Sequence, residues 1–215
     1  MSLFLNLALR LHSFSYRLAS ALACRVEGGV HPKHRITDYH KWFLDRIKPE
    51  WRVLDAGCGN GLLTIDLLWA CKSITGIDIN PDRIAEAKKL IDYPATGIHF
   101  ARGDITSLWL RGRYDCVIMS NVLEHIEDRV ECLGRLSLYA DTFLIRVPLI
   151  TRDWITLYKR ERGLPYLGDK DHYIEYTLES FQDEVISAGL EVGDIEIRFG
   201  ELYAVCCMQK KALEK

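Results

Sequence analysis

VLDAGCGNG, residues 53–61, begins as a short apolar run and ends with glycines at 57, 59 and 61. Glycines at alternate positions after a strand mark a tight turn into a helix, where the backbone passes close to a ligand. What the loop lacks limits the guest. No GK[ST] follows, so it is not a Walker phosphate cradle, and Leu62 stands where a dinucleotide fingerprint has its third glycine or alanine.

Outward from this loop the chain alternates strands and helices. WRVLDA (51–56), SITGIDI (73–79), GIHFARGD (97–104), YDCVIMS (114–120) and DTFLIRVP (141–148) are rich in Val, Ile, Leu and Cys. Their composition predicts strands buried on both faces of a parallel sheet. GLLTIDLLWA (61–70), PDRIAEAKKLI (81–91) with its opening proline, and 129–139 read as the helices between them. A further helix over 178–188 precedes EVGDIEIRF (191–199) and LYAVCCMQK (202–210), expected as an antiparallel pair joined at Gly200-Glu201. The expected fold class is therefore α/β: a doubly wound sheet of seven strands, mostly parallel with an antiparallel last strand. Residues 1–50 are expected as an N-terminal helical segment and 51–215 as the main domain. Within the latter, 149–176, rich in Arg, Lys, Asp, Tyr and Trp, is expected to cap the site.

A chain of 215 residues with 48% apolar and 27% charged residues and a net charge of -2 is ordinary globular composition, without a general electrostatic grip on nucleic acid. Cysteines at 24, 58, 71, 116, 132, 206 and 207 form no CxxC pair and are odd in number. They are expected as buried thiols in a reducing compartment, hence a cytoplasmic protein, with no disulfide framework or zinc site. LFLNLALRLHSFSYRLASALAC, near the N-terminus, is broken by Arg10 and Arg17 and is not preceded by a basic residue, unlike an export signal. At helical period Phe4, Leu7, Leu11, Phe14, Leu18 and Leu22 share one face, and Asn6, Arg10, Ser13, Arg17 and Ser20 another. This amphipathic helix is expected to pack on the domain or a sister subunit, or else to touch a membrane surface. ITDYHKWFLDRI (36–47) reads as one further helix, ended by Lys48-Pro49.

The acidic residues describe the guest. Asp78 ends the second strand in GIDIN, where a carboxylate can accept from both hydroxyls of a ribose. Asp104, in RGDI beyond the third strand, can accept from an exocyclic amine, with Ile79 and Ile105 on the two faces of a flat base. Asp55 suits an ammonium group. An adenosine carrying a positive charge fits all three.

Taken in order, VLDAGCGNG, GIDIN, GDI and YDCVIMSNVLEHIED resemble the class I S-adenosylmethionine-dependent methyltransferases, over roughly 36–208. The resemblance implies a Rossmann-like fold, S-adenosyl-L-methionine as cofactor and methyltransferase activity. It places Asp55 with Gly57, Cys58, Gly59 and Gly61 at the methionyl end, Asp78 at the ribose, Asp104 and Ile105 at the adenine, and Asn121 opposite the reacting centre. Arg35 and Tyr39, in HPKHRITDYH, are candidates to close over the methionyl carboxylate.

Methyl transfer from a sulfonium is an in-line displacement, so the protein aligns the partners, excludes water and removes the acceptor's proton. Glu124 and His125 in NVLEHIED and His172 in DHYIEYTLESF are the expected catalytic residues, with either histidine as base. A competing possibility is that they only shape the pocket. These stretches are similar to two metal-assisted groups, the O-methyltransferases of ubiquinone synthesis and the small-RNA 2'-O-methyltransferases, which carry ExxEH and a later histidine. Here Asn121 replaces the first glutamate, so no metal is expected, and Glu124, His125 and His172 remain only as candidate ligands. Tyr173, Tyr176, Trp154, Tyr158 and Arg152 are candidate substrate contacts. The expected acceptor is a small metabolite, a saccharide or a lipid-linked intermediate. The alternatives are methylation of RNA, which the acidic balance disfavours, and a non-catalytic cofactor-binding subunit, for which the three aspartates would be superfluous.

Overall fold

Apolar residues recur in runs short enough for strands and are separated by helices, so the chain must cover a sheet on both sides. In the computed structural model, which describes residues 2–91 and 96–209, this is what forms. The chain runs α1 (Ser2–Val26), α2 (Lys33–Thr37), α3 (Tyr39–Leu44), β1 (Arg52–Ala56), α4 (Leu62–Leu67), β2 (Ser73–Asp78), α5 (Pro81–Lys89), β3 (Ile98–Arg102), β4 (Cys116–Ser120), α6 (Arg129–Leu136), β5 (Thr142–Pro148), α7 (Trp154–Glu161), α8 (Leu178–Ser187), β6 (Leu190–Arg198) and β7 (Glu201–Met208). The seven strands lie in the order β3-β2-β1-β4-β5-β7-β6, and β7 alone runs antiparallel to both its neighbours. The expected fold class holds. The expected last strand extended to Lys210, which lies outside the described residues.

Alternation along each strand decides which layer a side chain enters. Leu54, Val117, Met119, Phe143 and Ile145 enter one core, closed by Leu133 of α6 and Phe181 of α8. Val53, Cys116, Ile118 and Leu144 enter the other, closed by Leu63 and Leu67 of α4 and by Trp42 and Phe43 of α3. The strand order reverses between the parallel neighbours β1 and β4, and this switch point opens a crevice at the carboxyl ends of the strands, the usual ligand position in such sheets.

Four local expectations need correcting. The helix expected over 36–47 breaks at Asp38, whose φ of 46° is left-handed, so α2 and α3 are separate helices. The helix expected over 61–70 ends at Leu67 and finishes as a tighter turn over Leu68–Ala70. β3, expected to be buried on both faces, is the edge strand, with His99 and Arg102 exposed to solvent. The apolar stripe of α1 does not pack on the domain. Phe4, Leu7, Leu11, Phe14, Leu18 and Leu22 are all exposed, while Leu9 is buried on the other side. No helix among the described residues is long and apolar enough to cross a membrane. All seven cysteines are free; Cys58, Cys116, Cys132 and Cys206 are buried as expected, whereas Cys24 and Cys71 are half-buried and Cys207 is exposed.

Candidate active site

A cavity of about 1360 Å³ lies at the carboxyl ends of β1 and β2, and the glycine loop forms part of its wall. Gly57 N and Cys58 N both donate to Ile77 O, at 2.7 and 2.9 Å, which ties the loop to β2. Gly57 has φ of 80°, and a Cβ there would lie 2.5 Å from Val122 Cγ2. Gly61, also at φ 80°, starts α4 against the Phe100 ring, where a Cβ would lie 2.7 Å from Cζ. Both positions therefore exclude any larger residue on conformation and on space.

Three carboxylates face this cavity from successive strand ends. Asp55, 1% exposed, accepts from Thr64 Oγ1 at 2.5 Å. Burial raises its pKa to about 7; the Thr64 bond opposes this and the nearby Asp78 adds to it. Asp78 accepts from Gly59 N at 2.9 Å and from Asn80 N at 2.8 Å, so it also fixes the loop. Asp104 Oδ1 accepts from Thr106 N and Oγ1 at 2.9 and 2.7 Å, which closes a turn. With Glu127, Asp128 and Asp171, carboxylates on the wall outnumber the fixed cations Arg83 and Lys170 by six to two. Such a wall favours a cationic guest.

The same cavity is lined by imidazoles. His125 and His172 meet edge to face, with ring centroids 4.6 Å apart and planes at 83°. The loop holding His172 is pinned to the turn holding His125, because Tyr173 N donates to Glu124 O at 2.7 Å. His125 Nδ1 lies 3.2 Å from Asp171 Oδ2, and His172 Nδ1 lies 3.5 Å from Glu175 Oε1, an ion-pair distance too long for a hydrogen bond. Burial opposes protonation of His172, but Glu175, Glu124 and Asp169 outweigh it and raise its pKa. Glu175 is itself fixed by Arg152 and by Gly168 N; although it is buried, His172 and Arg152 hold its carboxyl below the usual range. Glu124 lies behind the wall, fully buried, with both oxygens unpartnered, and burial raises its pKa to about 7.

The family model for the methyltransferase domain matches residues 53–137, the stretch from the glycine loop through the three aspartates to the end of α6. This match supports a place for the chain in the class I S-adenosylmethionine-dependent methyltransferase superfamily. S-adenosylmethionine is the cofactor of this superfamily. Over 104 residues the chain is 33% identical to the ubiquinone biosynthesis O-methyltransferase of Rhodopseudomonas palustris strain BisB5, covering 48% of this chain and 41% of that protein. The chain thus spans less than half the length of the curated relatives it matches. Among solved structures it is similar in fold to the magnesium protoporphyrin IX methyltransferase of Synechocystis PCC 6803 with bound SAH, with TM-score 0.64, 21% identity, 82% of this chain and 83% of that one. A second is an S-adenosylmethionine-dependent methyltransferase of Clostridium acetobutylicum ATCC 824, with TM-score 0.64, 13% identity, 91% of this chain and 99% of that one.

Of the residues expected for this superfamily's site, Asp55, Gly57, Cys58, Gly59, Asp78, Ile79, Asp104, Ile105, Asn121, Tyr39, His125 and His172 share the cavity wall. Gly61 and Glu124 lie just behind it. Arg35 does not reach it: the break at Asp38 separates it from Tyr39, and it pairs with Glu27 at 2.6 Å on the exterior. Asn121 adopts a left-handed φ of 55°, and its Oδ1 is buried without a partner, an open acceptor held in a strained position. Sequence reasoning did not single out Thr64, Glu175, or the pair Arg146–Glu201 beneath Tyr39: Arg146 and Glu201 are remote in the chain, and no local pattern marks Thr64 and Glu175 as neighbours of Asp55 and His172.

Proposed function

We propose that this chain transfers the methyl group of S-adenosylmethionine to an oxygen of a small metabolite, a saccharide or a lipid-linked intermediate. The observation that carries this reading is one cavity lined both by Asp55, Asp78 and Asp104 and by the paired imidazoles of His125 and His172. In this reading residues 51–215 are the catalytic domain, 149–176 supply a cap, and α3 is built into the domain core. Asp55, Gly57, Cys58, Gly59 and Gly61 hold the methionyl end, with Tyr39 above it. Asp78 takes the ribose hydroxyls, and Asp104, Ile79 and Ile105 the adenine. The unpartnered Asn121 Oδ1 faces the reacting end. The acid-rich wall suits a sulfonium and an ammonium together, and it disfavours a phosphate-rich acceptor such as RNA.

The bound cofactor supplies an electrophilic methyl on sulfur. His172 takes the acceptor's proton, with Glu175 opposite Nδ1 favouring the charged ring that results, while His125 packs against its face. The buried Glu124, where ionised, adds its charge to those that favour the protonated His172 ring.

A second reading uses the same side chains. One ligand atom each from Glu124, His125 and His172 lie within 4.8 Å of one another, and the Glu124 oxygens have no partner. A carboxylate with two imidazoles suits a borderline divalent cation, which would lower the pKa of an acceptor hydroxyl. Label transfer assayed after exhaustive chelation and again with Mn²⁺ separates the two: activity indifferent to both removes the ion.

Titration of S-adenosylmethionine into the protein, followed by tracing of its labelled methyl into fractionated lipid, glycan and RNA, tests the main proposal. No binding, or label found only in RNA, would overturn it. Asp78→Ala should weaken cofactor binding roughly 10²- to 10⁴-fold, the cost of two hydrogen bonds to a charged acceptor at about 1.5–3 kcal/mol each. Asp78→Asn, which still accepts from Gly59, should lose less. Equal affinity in all three proteins would reject the ribose assignment.

Asp55 gives the affinity a pH dependence. The cofactor's ammonium needs the ionised carboxylate, whose pKa in the free fold is about 7. Between pH 6 and 7 affinity should therefore rise roughly fivefold, with uptake of cofactor releasing protons. The stability of the free protein should move the other way. The unfolded carboxyl ionises near 3.8 and the folded one near 7, so stability is fully present below about pH 4 and falls as pH rises towards 7. Calorimetric titration at both pH values measures the first effect, and a flat affinity would remove the ammonium from Asp55.

A further inference from the structure

Helix α1 turns its polar edge inward and its apolar stripe outward. Arg162 Nε donates to Asn6 Oδ1 at 3.1 Å, Lys159 Nζ to Ser13 Oγ at 2.8 Å, and Ser20 Oγ meets His31 Nε2 at 2.8 Å. Leu9, at 6% exposure, packs on the same inner edge. On the outer side Phe4 is 74% exposed, Phe14 59% and Leu18 46%, with Leu7, Leu11 and Leu22 in line with them. A continuous apolar stripe of this length in water marks a docking surface.

The charges on α1 indicate the occupant. Between Ser2 and Val26 the helix carries Arg10, Arg17 and Arg25 and no Asp or Glu. A second copy laid along the stripe would bring two sets of arginines together with no carboxylate from either helix to offset them. A bilayer containing anionic phospholipid supplies hydrocarbon for the stripe and a negative group for each guanidinium. Arg10 and Arg17 adjoin the stripe at helical spacing, so their stems can lie along the acyl boundary while their heads reach the phosphates.

We propose that α1 docks this protein, lying in the plane of the surface, onto a bilayer containing anionic phospholipid. The docked helix lies beside the cavity. Cys24 near its end, and Val30 and His31 just beyond, line the same space as Asp55 and Asp78. Docking holds that space next to the lipid and gives a membrane-borne acceptor a short path to it. Only this last step rests on the methyltransferase reading; the docking itself does not.

Flotation of the full chain with vesicles of phosphatidylcholine, alone or mixed with phosphatidylglycerol, tests the proposal. The protein should float with the anionic vesicles and release at high salt. The double variant Arg10→Gln/Arg17→Gln should bind roughly thirtyfold more weakly, at about fivefold per arginine. Phe14→Ser/Leu18→Ser should not float at all. These side chains face solvent, so each variant should retain the wild-type affinity for S-adenosylmethionine, which serves as the folding control. Wild-type protein that stays with the pellet overturns the proposal, as does flotation indifferent to Phe14→Ser/Leu18→Ser. A lipid-free dimer dissolved by that same variant, without vesicle binding, would assign the stripe to a second copy and overturn it equally. Loss of cofactor binding by the wild type would count against the methyltransferase reading and leave the docking result standing.

Discussion

Arg146→Met should lower the melting temperature by roughly 6–20 °C, the equivalent of about 3–5 kcal/mol in a chain of this size. Arg146 on β5 has a side chain 3% exposed and pairs with Glu201 on β7, 10% exposed. Its guanidinium carbon lies 3.7 Å from the centroid of the Tyr39 ring, and Nη1 donates to Ser120 Oγ at 3.1 Å. Removing the cation strands the Glu201 carboxylate, since its other partner, Lys33, has a side chain 46% exposed and shares its charge with water. Tyr39 also loses the cation beneath its ring, so the segment over the cavity loosens. The double substitution Arg146→Met/Glu201→Leu removes the stranded charge and should recover most of the loss. Scanning calorimetry on the two variants and the parent measures both effects. A single variant that melts with the parent would show that the pair does not hold the fold together.

His172→Gln should cut the rate of label transfer roughly 10²- to 10³-fold while leaving the affinity for S-adenosylmethionine unchanged. Glutamine keeps a polar side chain of similar reach but cannot take a proton at neutral pH. His172 is placed for that task by three neighbours: the His125 ring at 4.6 Å, Glu175 near Nδ1, and the buried Glu124. Glu175→Gln should give a smaller loss, because it removes the orienting charge and leaves the imidazole in place. If His172→Gln weakened cofactor binding as much as it slowed transfer, the ring would be a packing group and the base would lie elsewhere.

The sheet and the acidic wall of the cavity were legible because both are written in local patterns. Apolar runs of strand length separated by helical periods allow few arrangements, and in a parallel sheet the loops after successive strands must meet at one edge. Asp55, Asp78 and Asp104 each sit at or just beyond a strand end, so their convergence follows from the topology. The break between α2 and α3 was hidden, since a left-handed Asp38 carries no strong local signal.

From the sequence alone come the fold class, the row of carboxylates at successive strand ends and the amphipathic character of α1. Only the tertiary structure decided that Arg35 faces away from the cavity, that Arg146 and Glu201 bind across two strands beneath Tyr39, that Glu175 stands behind His172, and that α1 shows its apolar side to solvent. The difference is physical. Periodicity fixes which residues share a face, because bond geometry repeats along the chain. What that face meets depends on contacts between residues far apart in sequence, and only packing the whole chain brings those together.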